Sequence, residues 1–425
     1  MSGFELSVLF FLQLAIILLV CRVVGWLARW LGQPQVVAEM IAGVVMGPSL
    51  FGLFFPHIQS FIFPAASKGL IYAVSQMGLV LYMFLVGLEF DTTLIRNRLR
   101  SAASVSLSGI LAPFVLGCAL GFCLARSNGF FAANVVTWEA MFFVGASMSI
   151  TAFPMLARII YERGLSGTSL GTLALAAGSI DDGAAWCVLA LVLASFSGDP
   201  MIAVLAIGGG TLYAVGTLTI GQKLLQRLGD MAERERGVSP TLLTITLSLV
   251  MLGAWFTDRI GIYAVFGAFI MGAAMPRGRF AREIQRQIEP LTTTFLLPLF
   301  FIYSGLNTRI NLVDSPWLWG IVLVVLLAAC LGKGVACWAA ARISGEENRS
   351  ALAIGTLMNA RGLMELIILN IGLQRGIITE LLFTVMVIMA IVTTLMTSPI
   401  FERVYRRPQL ARTPEARFES IEVTP

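Results

Sequence analysis

Residues 170–196 read LGTLALAAGSIDDGAAWCVLALVLASF, an apolar run whose only charges are the adjacent carboxylates Asp181 and Asp182. About 20 mostly apolar residues suffice to cross a bilayer as a helix. The run therefore reads as a membrane helix that carries two acids where it otherwise excludes charge.

The rest of the chain is of the same kind. Of its 425 residues, 57% are hydrophobic and 12% charged, and the mean hydropathy is +0.86. A soluble domain is about 45–50% apolar and about 25% charged. The composition gives an all-α polytopic membrane protein and turns the net charge of +5 into a question of topology rather than of nucleic-acid binding. The six cysteines all lie in apolar runs without a C-x-x-C pair, and the one histidine, His57, supplies no His-based site. The N-terminus lacks a basic leader region, so the first apolar run is expected to be retained.

Thirteen spans are predicted, at 5–31, 35–54, 69–90, 101–125, 138–160, 168–196, 201–222, 240–257, 261–275, 290–306, 316–341, 350–373 and 379–401. With the N-terminus outside, the cytoplasmic loops and the tail at 402–425 hold 21 Lys and Arg residues and the outside loops hold 5. That bias, kept loop after loop, predicts an N-out, C-in orientation. A wrong helix count would scramble it downstream of the error. Arg22, Lys333 and Arg361 remain inside spans. Arg22 lies near a helix end and can reach the interface.

The chain also carries a weak internal repeat. At an offset of 208 residues, ITAFPMLARII (150–160) lies over MNARGLMELII (358–368), pairing Thr151 with Asn359 and Pro154 with Gly362. The two spans are seven apart, an odd number, so they run in opposite directions. MFLVGL (83–88) matches FIYSGL (301–306), and GVVMGP (43–48) matches AFIMGA (268–273), across the same seven spans. Inverted repeats with interrupted helices near the midplane are a transporter architecture. Helix breaks at that depth are tolerated only where protein or a watery cavity meets the freed backbone groups.

Six ionisable residues lie away from the predicted helix ends: Glu39, Asp181, Asp182, Lys333, Arg361 and Glu365. A charge at the bilayer centre costs about 2.5–3.5 kcal/mol on insertion scales, so such groups pair or line a pathway. Lys333 is the matching partner for one aspartate. Arg361 can pair with Glu365, one turn away, or with Glu39. Neighbouring helical side chains point about 100° apart, so both aspartates cannot face one partner. One is left to hold either a proton or a small cation, because desolvation opposes a bare charge there.

With these motifs in place the chain resembles the monovalent cation:proton antiporters, in the branch of bacterial sodium/proton and potassium/proton exchangers and plant cation/proton exchangers. The stretches that carry the resemblance are PQVVAEMIAGVVMGPSLFG (34–52), FLVGLEFD (84–91), SMSITAFPMLARII (147–160), IDDGAAW (180–186), LLPLFFIYSGLNT (296–308) and LMNARGLMELIILNIG (357–372). The resemblance implies a homodimer, with Asp182 as the shared proton and cation site and Asp181 paired to Lys333. It places Thr151 and Asn359 at helix breaks beside the ion. It also implies a mobile core at about 101–196 and 316–401, a dimerisation scaffold at about 5–90 and 240–306, and a linker helix at 201–222. Alternating access would be elevator-like, in a bacterial inner membrane, without a cofactor. Asp-Asp with Lys resembles electrogenic members, whereas the motif at 357–372 resembles plant relatives that often move potassium electroneutrally.

Other function classes fit poorly. An intramembrane aspartyl protease needs its acids on facing helices, not side by side. There is no G-x-x-x-x-G-K-[ST] loop for an ATP-driven pump and no TVGYG-like filter for a potassium channel. A sodium-coupled solute symporter of similar inverted-repeat architecture is the remaining alternative.

Overall fold

The computed structural model describes residues 3–33, 35–89, 99–153, 156, 159–160, 163, 165, 168–197, 200–235, 237–261 and 263–405. Within these, the side chains at 36, 99, 179, 182, 183, 186, 187, 189–197, 200–204, 206, 207, 363 and 364 lie outside the description.

The described chain is helical, and its only β pairing is an isolated bridge between Phe131 and Ile378. In order come α1 (Gly3–Trp30), α2 (Gln35–Met46), α3 (Ala65–Glu89), α4 (Leu99–Ala125), α5 (Thr137–Ser149) and α6 (Ser169–Ser197). Next are α7 (Pro200–Gly216, continued by Gln222–Arg234), α8 (Pro240–Arg259), α9 (Ala264–Ala274) and α10 (Arg279–Leu291, continued by Leu297–Leu306). Then follow α11 (Pro316–Ala329, continued by Ala336–Ile343), α12 (Asn348–Met358), α13 (Leu363–Gln374) and α14 (Glu380–Val404). A helix stands at each of the thirteen predicted spans, with α12 and α13 as the two halves of the twelfth. Seven described stretches are long and apolar enough to cross a membrane, one of them, Val37–Phe54, combining α2 with the short helix after it.

Several ends are set by local chemistry. Ser239, Ser315 and Thr379 accept from the backbone N–H three residues on, closing the N-termini of α8, α11 and α14. Pro240 and Pro316 occupy first-turn positions where no N–H is needed.

Three boundaries differ from expectation. The predicted span 35–54 is not one helix: α2 ends at Met46, and short helices Phe51–Phe54 and Pro56–Ile62 follow. The helix predicted at 290–306 starts at Arg279, and the one predicted at 201–222 runs to Arg234. Both additions are amphipathic rather than apolar. Leu225, Leu228 and Ala232 of α7 pack with Phe280, Ile284 and Ile288 of α10, and the charges between them face outward. A hydropathy window does not see such segments, because their apolar stripe is averaged with the polar face.

The repeat is visible in how helices cross. A Cβ at Gly305 of α10 would overlap the backbone of Gly43 on α2, and one at Gly47 would overlap the carbonyl of Gly305. In the repeat-related pair, a Cβ at Gly87 of α3 would overlap the carbonyl of Phe269 on α9, and one at Gly272 would overlap that of Phe84. The glycines matched in sequence therefore make the same close backbone crossing in both halves. Small residues permit this approach in a membrane, where apolar side chains gain little by leaving lipid.

Candidate ion site at the helix breaks

Two helices are interrupted. α5 ends at Ser149, and Ile150 turns extended at φ −74, ψ 136. α12 ends at Met358, and the chain restarts as α13 through Gly362 at φ 154, ψ −114, a backbone conformation that favours glycine. The interruptions meet: the N–H of Ala152 donates to the carbonyl of Ala360 at 3.2 Å. On the far side, the hydroxyl of Thr394 on α14 accepts from the Arg361 N–H at 3.1 Å and donates to the Arg361 carbonyl at 2.6 Å. One side chain thus meets both backbone groups of Arg361 in the break, its hydroxyl proton shared with the Ala390 carbonyl at 2.7 Å.

Asp181 on α6 faces this crossing, and it is fully buried. Its Oδ2 accepts from the Lys333 ammonium at 3.0 Å and from the Thr151 hydroxyl. Its Oδ1 has no hydrogen-bond partner among the described residues. Lys333, also fully buried, sits in a π-helical turn of α11, Cys330–Val335. Such turns inside α-helices are frequent at functional sites. Glycines flank it: a Cβ at Gly332 would press on Pro113 of α4, and one at Gly355 of α12 would overlap the carbonyl of Gly334. The close approach of α4 and α12 excludes water from around the ammonium.

Lys333 also donates to the carbonyl of Ser149. Arg361 donates to the carbonyls of Met148 at 2.7 Å and Ser147 at 3.4 Å. The two buried cations therefore converge on the last three carbonyls of α5, the negative end of its helix dipole. Of the two partners predicted for Arg361, the structure takes Glu365, at 3.6 Å. Glu39 lies buried on α2, where the Gln35 amide donates to its Oε1 at 3.1 Å.

Thr151, Asp181 and Lys333 are thus in contact. Asn359 is placed differently. It donates to the Cys330 sulfur at 3.5 Å, and no hydrogen bond joins it to Asp181 or Thr151 among the described residues. It lines a separate cavity of about 230 Å³ with Cys330, Thr356, Thr393 and Thr397. Asp182 follows Asp181 on the α6 backbone, but its side chain lies outside the described residues, as does Pro154. No group of three His, Cys, Asp or Glu side chains suited to a metal ion occurs among the described residues. Sequence reasoning missed Thr394 and the three α5 carbonyls. A hydroxyl inside the apolar run of α14 was a signal for the first; backbone acceptors leave none.

Known proteins resemble this chain in sequence and fold. A family model described as sodium/hydrogen exchanger, transmembrane, matches residues 15–404. The Na(+)/H(+) antiporter NhaS4 of Synechocystis is 41% identical over 399 residues, covering 93% of this chain and 97% of that protein. Cation/H(+) antiporter 17 of Arabidopsis thaliana is 35% identical and K(+)/H(+) antiporter 1 of Saccharomyces cerevisiae 32% identical. These matches cover 98% and 93% of this chain but 51% and 46% of those proteins, so the chain spans about half their length. The sodium proton antiporter MjNhaP1 of Methanocaldococcus jannaschii has the same fold, with a TM-score of 0.62 at 15% identity over 94% of this chain and 96% of that one. The chain belongs to the sodium/hydrogen exchanger family of integral membrane cation/proton antiporters.

Proposed function

We propose that this chain exchanges protons for Na+, K+ or both, with Asp182 as the site that proton and cation occupy in turn. The observation that carries the reading is the Asp181–Lys333 ion pair beside two crossing helix breaks. It gives the first aspartate a fixed partner and leaves its neighbour on α6 to bind the transported ion. Competition of both ions for one carboxylate couples their flows, since neither can be carried while the other is bound. The relatives named above are Na(+)/H(+), cation/H(+) and K(+)/H(+) antiporters, which agrees with this range of cations.

The cycle is electrogenic in this proposal. Cation entry at Asp182 displaces its proton and draws Asp181 away from Lys333, which releases a second proton to the same side. After the cation leaves on the other side, both groups are protonated again. The core at 101–196 and 316–401 carries the site past a scaffold at 5–90 and 240–306, with 201–222 as linker. Two copies pair through their scaffolds, in a bacterial inner membrane, N-terminus outside and C-terminus inside. The arginine-rich loops on one face support that orientation.

Purified protein in proteoliposomes tests the proposal. Adding Na+, K+ or Li+ on one side should drive proton flux in the wild type and none in Asp182→Asn. Exchange retained by Asp182→Asn would overturn the site. Cation entry that requires an organic solute and moves no protons would favour the symporter instead.

A further inference from the structure

A second site lies in the scaffold half, away from the aspartates. A cavity of about 810 Å³ is bounded by α1, α2, α3 and the middle of α10 around residues 293–298. It lies toward the membrane face where α1 ends, the face that also carries the basic extensions of α7 and α10. Leu18, Leu19, Leu297 and Pro298 give it an apolar wall, and Arg22 and Arg29 border it. These arginines are seven residues apart, two helical turns, and so share one face of α1. Both are exposed, and neither side chain makes a hydrogen bond or ion pair among the described residues.

The depth of Arg22 makes this unusual. It precedes the last residue of α1, Trp30, by eight positions, or about 12 Å along the axis. A guanidinium at that depth without a protein partner is costly in hydrocarbon. Its side chain can extend along the helix toward the interface, but that brings it to Arg29, whose like charge opposes it. A bound anion removes both problems. The hydroxyl of Thr294 borders the same space and can donate to a phosphate oxygen, whereas the Gln33 amide is already held by the Leu395 carbonyl at 3.1 Å. The buried Glu39 carboxylate, held by Gln35, also borders it and disfavours an anion at the inner wall. The phosphate is therefore confined to the arginines at the mouth, with the apolar wall left for acyl chain.

We infer that Arg22 and Arg29 hold the phosphate of an anionic phospholipid, whose acyl chain lies in the cavity between α1 and α10. The apolar lining and the membrane depth favour a lipid over free phosphate, which gains nothing from Leu18, Leu19 or Leu297. The inference stands on the membrane fold and does not depend on Asp182.

The test is lipid retention by purified full-length protein, washed in detergent and read by native mass spectrometry, with phosphatidylglycerol and phosphatidylethanolamine supplied equally. The wild type should retain phosphatidylglycerol preferentially, and inorganic phosphate should not displace it. Arg22→Gln with Arg29→Gln should weaken retention roughly thirtyfold, the product of two basic contacts at a membrane surface. Arg22→Lys with Arg29→Lys should keep most of it. Equal retention of the two lipids by the wild type would overturn the inference, as would displacement by inorganic phosphate. So would undiminished retention in a folded glutamine variant. Should that variant not fold, the lipid preference and phosphate competition of the wild type decide alone.

Discussion

Ala152 and Ala360, joined by a 3.2 Å backbone hydrogen bond, are separated by 208 positions, the offset of the sequence repeat. Two equivalent residues of an inverted repeat can bond to each other only near the axis that relates the halves. The site is therefore built where the pseudo-symmetry is tightest, and its charges break that symmetry. Lys333 and Arg361 both cap α5, whereas the matching end of α12 leads into Asn359 and its bond to the Cys330 sulfur.

Removing Lys333 should destabilise the protein more than removing the whole pair. Lys333→Ala leaves the Asp181 carboxylate buried with Thr151 as its one partner among the described residues, and breaking a buried pair from one side costs about 3–5 kcal/mol. Asp181→Asn with Lys333→Met removes both charges and should recover part of the loss. Thermal unfolding of the purified protein, followed by tryptophan fluorescence, checks the order. A double variant less stable than Lys333→Ala would contradict it.

The hydroxyl of Thr394 should matter more than its size. Thr394→Val keeps the volume but leaves the N–H and C=O of Arg361 unsatisfied in the break, at about 1–3 kcal/mol per buried group. Thr394→Ser keeps both bonds and should stay within about 1 kcal/mol of wild type on the same scale. Denaturation of the three proteins in one detergent gives the comparison.

The glycine crossings predict opposite outcomes for two helical glycines. Gly305→Ala pushes a methyl into the backbone of Gly43 and should cost about 1–3 kcal/mol as overpacking. Gly320 on α11 has open space around its Cβ position. Gly320→Ala should leave stability unchanged or raise it by up to about 1 kcal/mol through helix propensity. Melting temperatures of the two variants should move in opposite directions or only the first should move.

How much of this was legible follows from what carries a signal. The medium made the spans readable, since hydrocarbon forbids charge over about 20 residues and the loops report their side through arginine. Lys333 stood out as a partner for one of the two aspartates because few cations are buried in the spans, and the family resemblance assigned it to Asp181. The amphipathic start of α10, Arg279–Leu291, was missed because its pattern is that of a soluble helix. The pairing of Arg361 with the carbonyls of Ser147 and Met148 was missed because every residue has a carbonyl. Only the fold says which ones α5 leaves unbonded. Asn359 and Thr151 are equivalent in the repeat, yet only Thr151 reaches Asp181, because the third partner, Lys333, exists in one half alone.

The alternating-access reading predicts a weak latch across the proposed core and scaffold. Asn370 of α13 donates to the Ser304 hydroxyl of α10 at 2.7 Å, and the Arg309 and Glu380 side chains pair nearby at 3.2 Å. A core that slides must break the first of these, which is worth about 1 kcal/mol net. Ser304→Ala should therefore shift the balance between states by about fivefold, seen as faster hydrogen exchange over 300–308 and 366–374. Unchanged exchange there, with transport intact, would mean that α10 and α13 do not part in the cycle.

The charge count of the cycle can be tested at Lys333. In the proposed exchange the second proton leaves the Lys333 ammonium, so a side chain of similar length without a proton to lose should abolish the net charge moved. Lys333→Gln keeps a donor for Asp181 but removes the positive charge. Proteoliposomes adsorbed on a solid-supported membrane should give a transient current for the wild type on a cation jump. The variant should give proton–cation exchange by dye quenching with no current, and a potassium clamp should leave its rate unchanged. Current in the Lys333→Gln variant equal to wild type would assign the second proton elsewhere, and the Asp181–Lys333 pair would then be a structural tie alone.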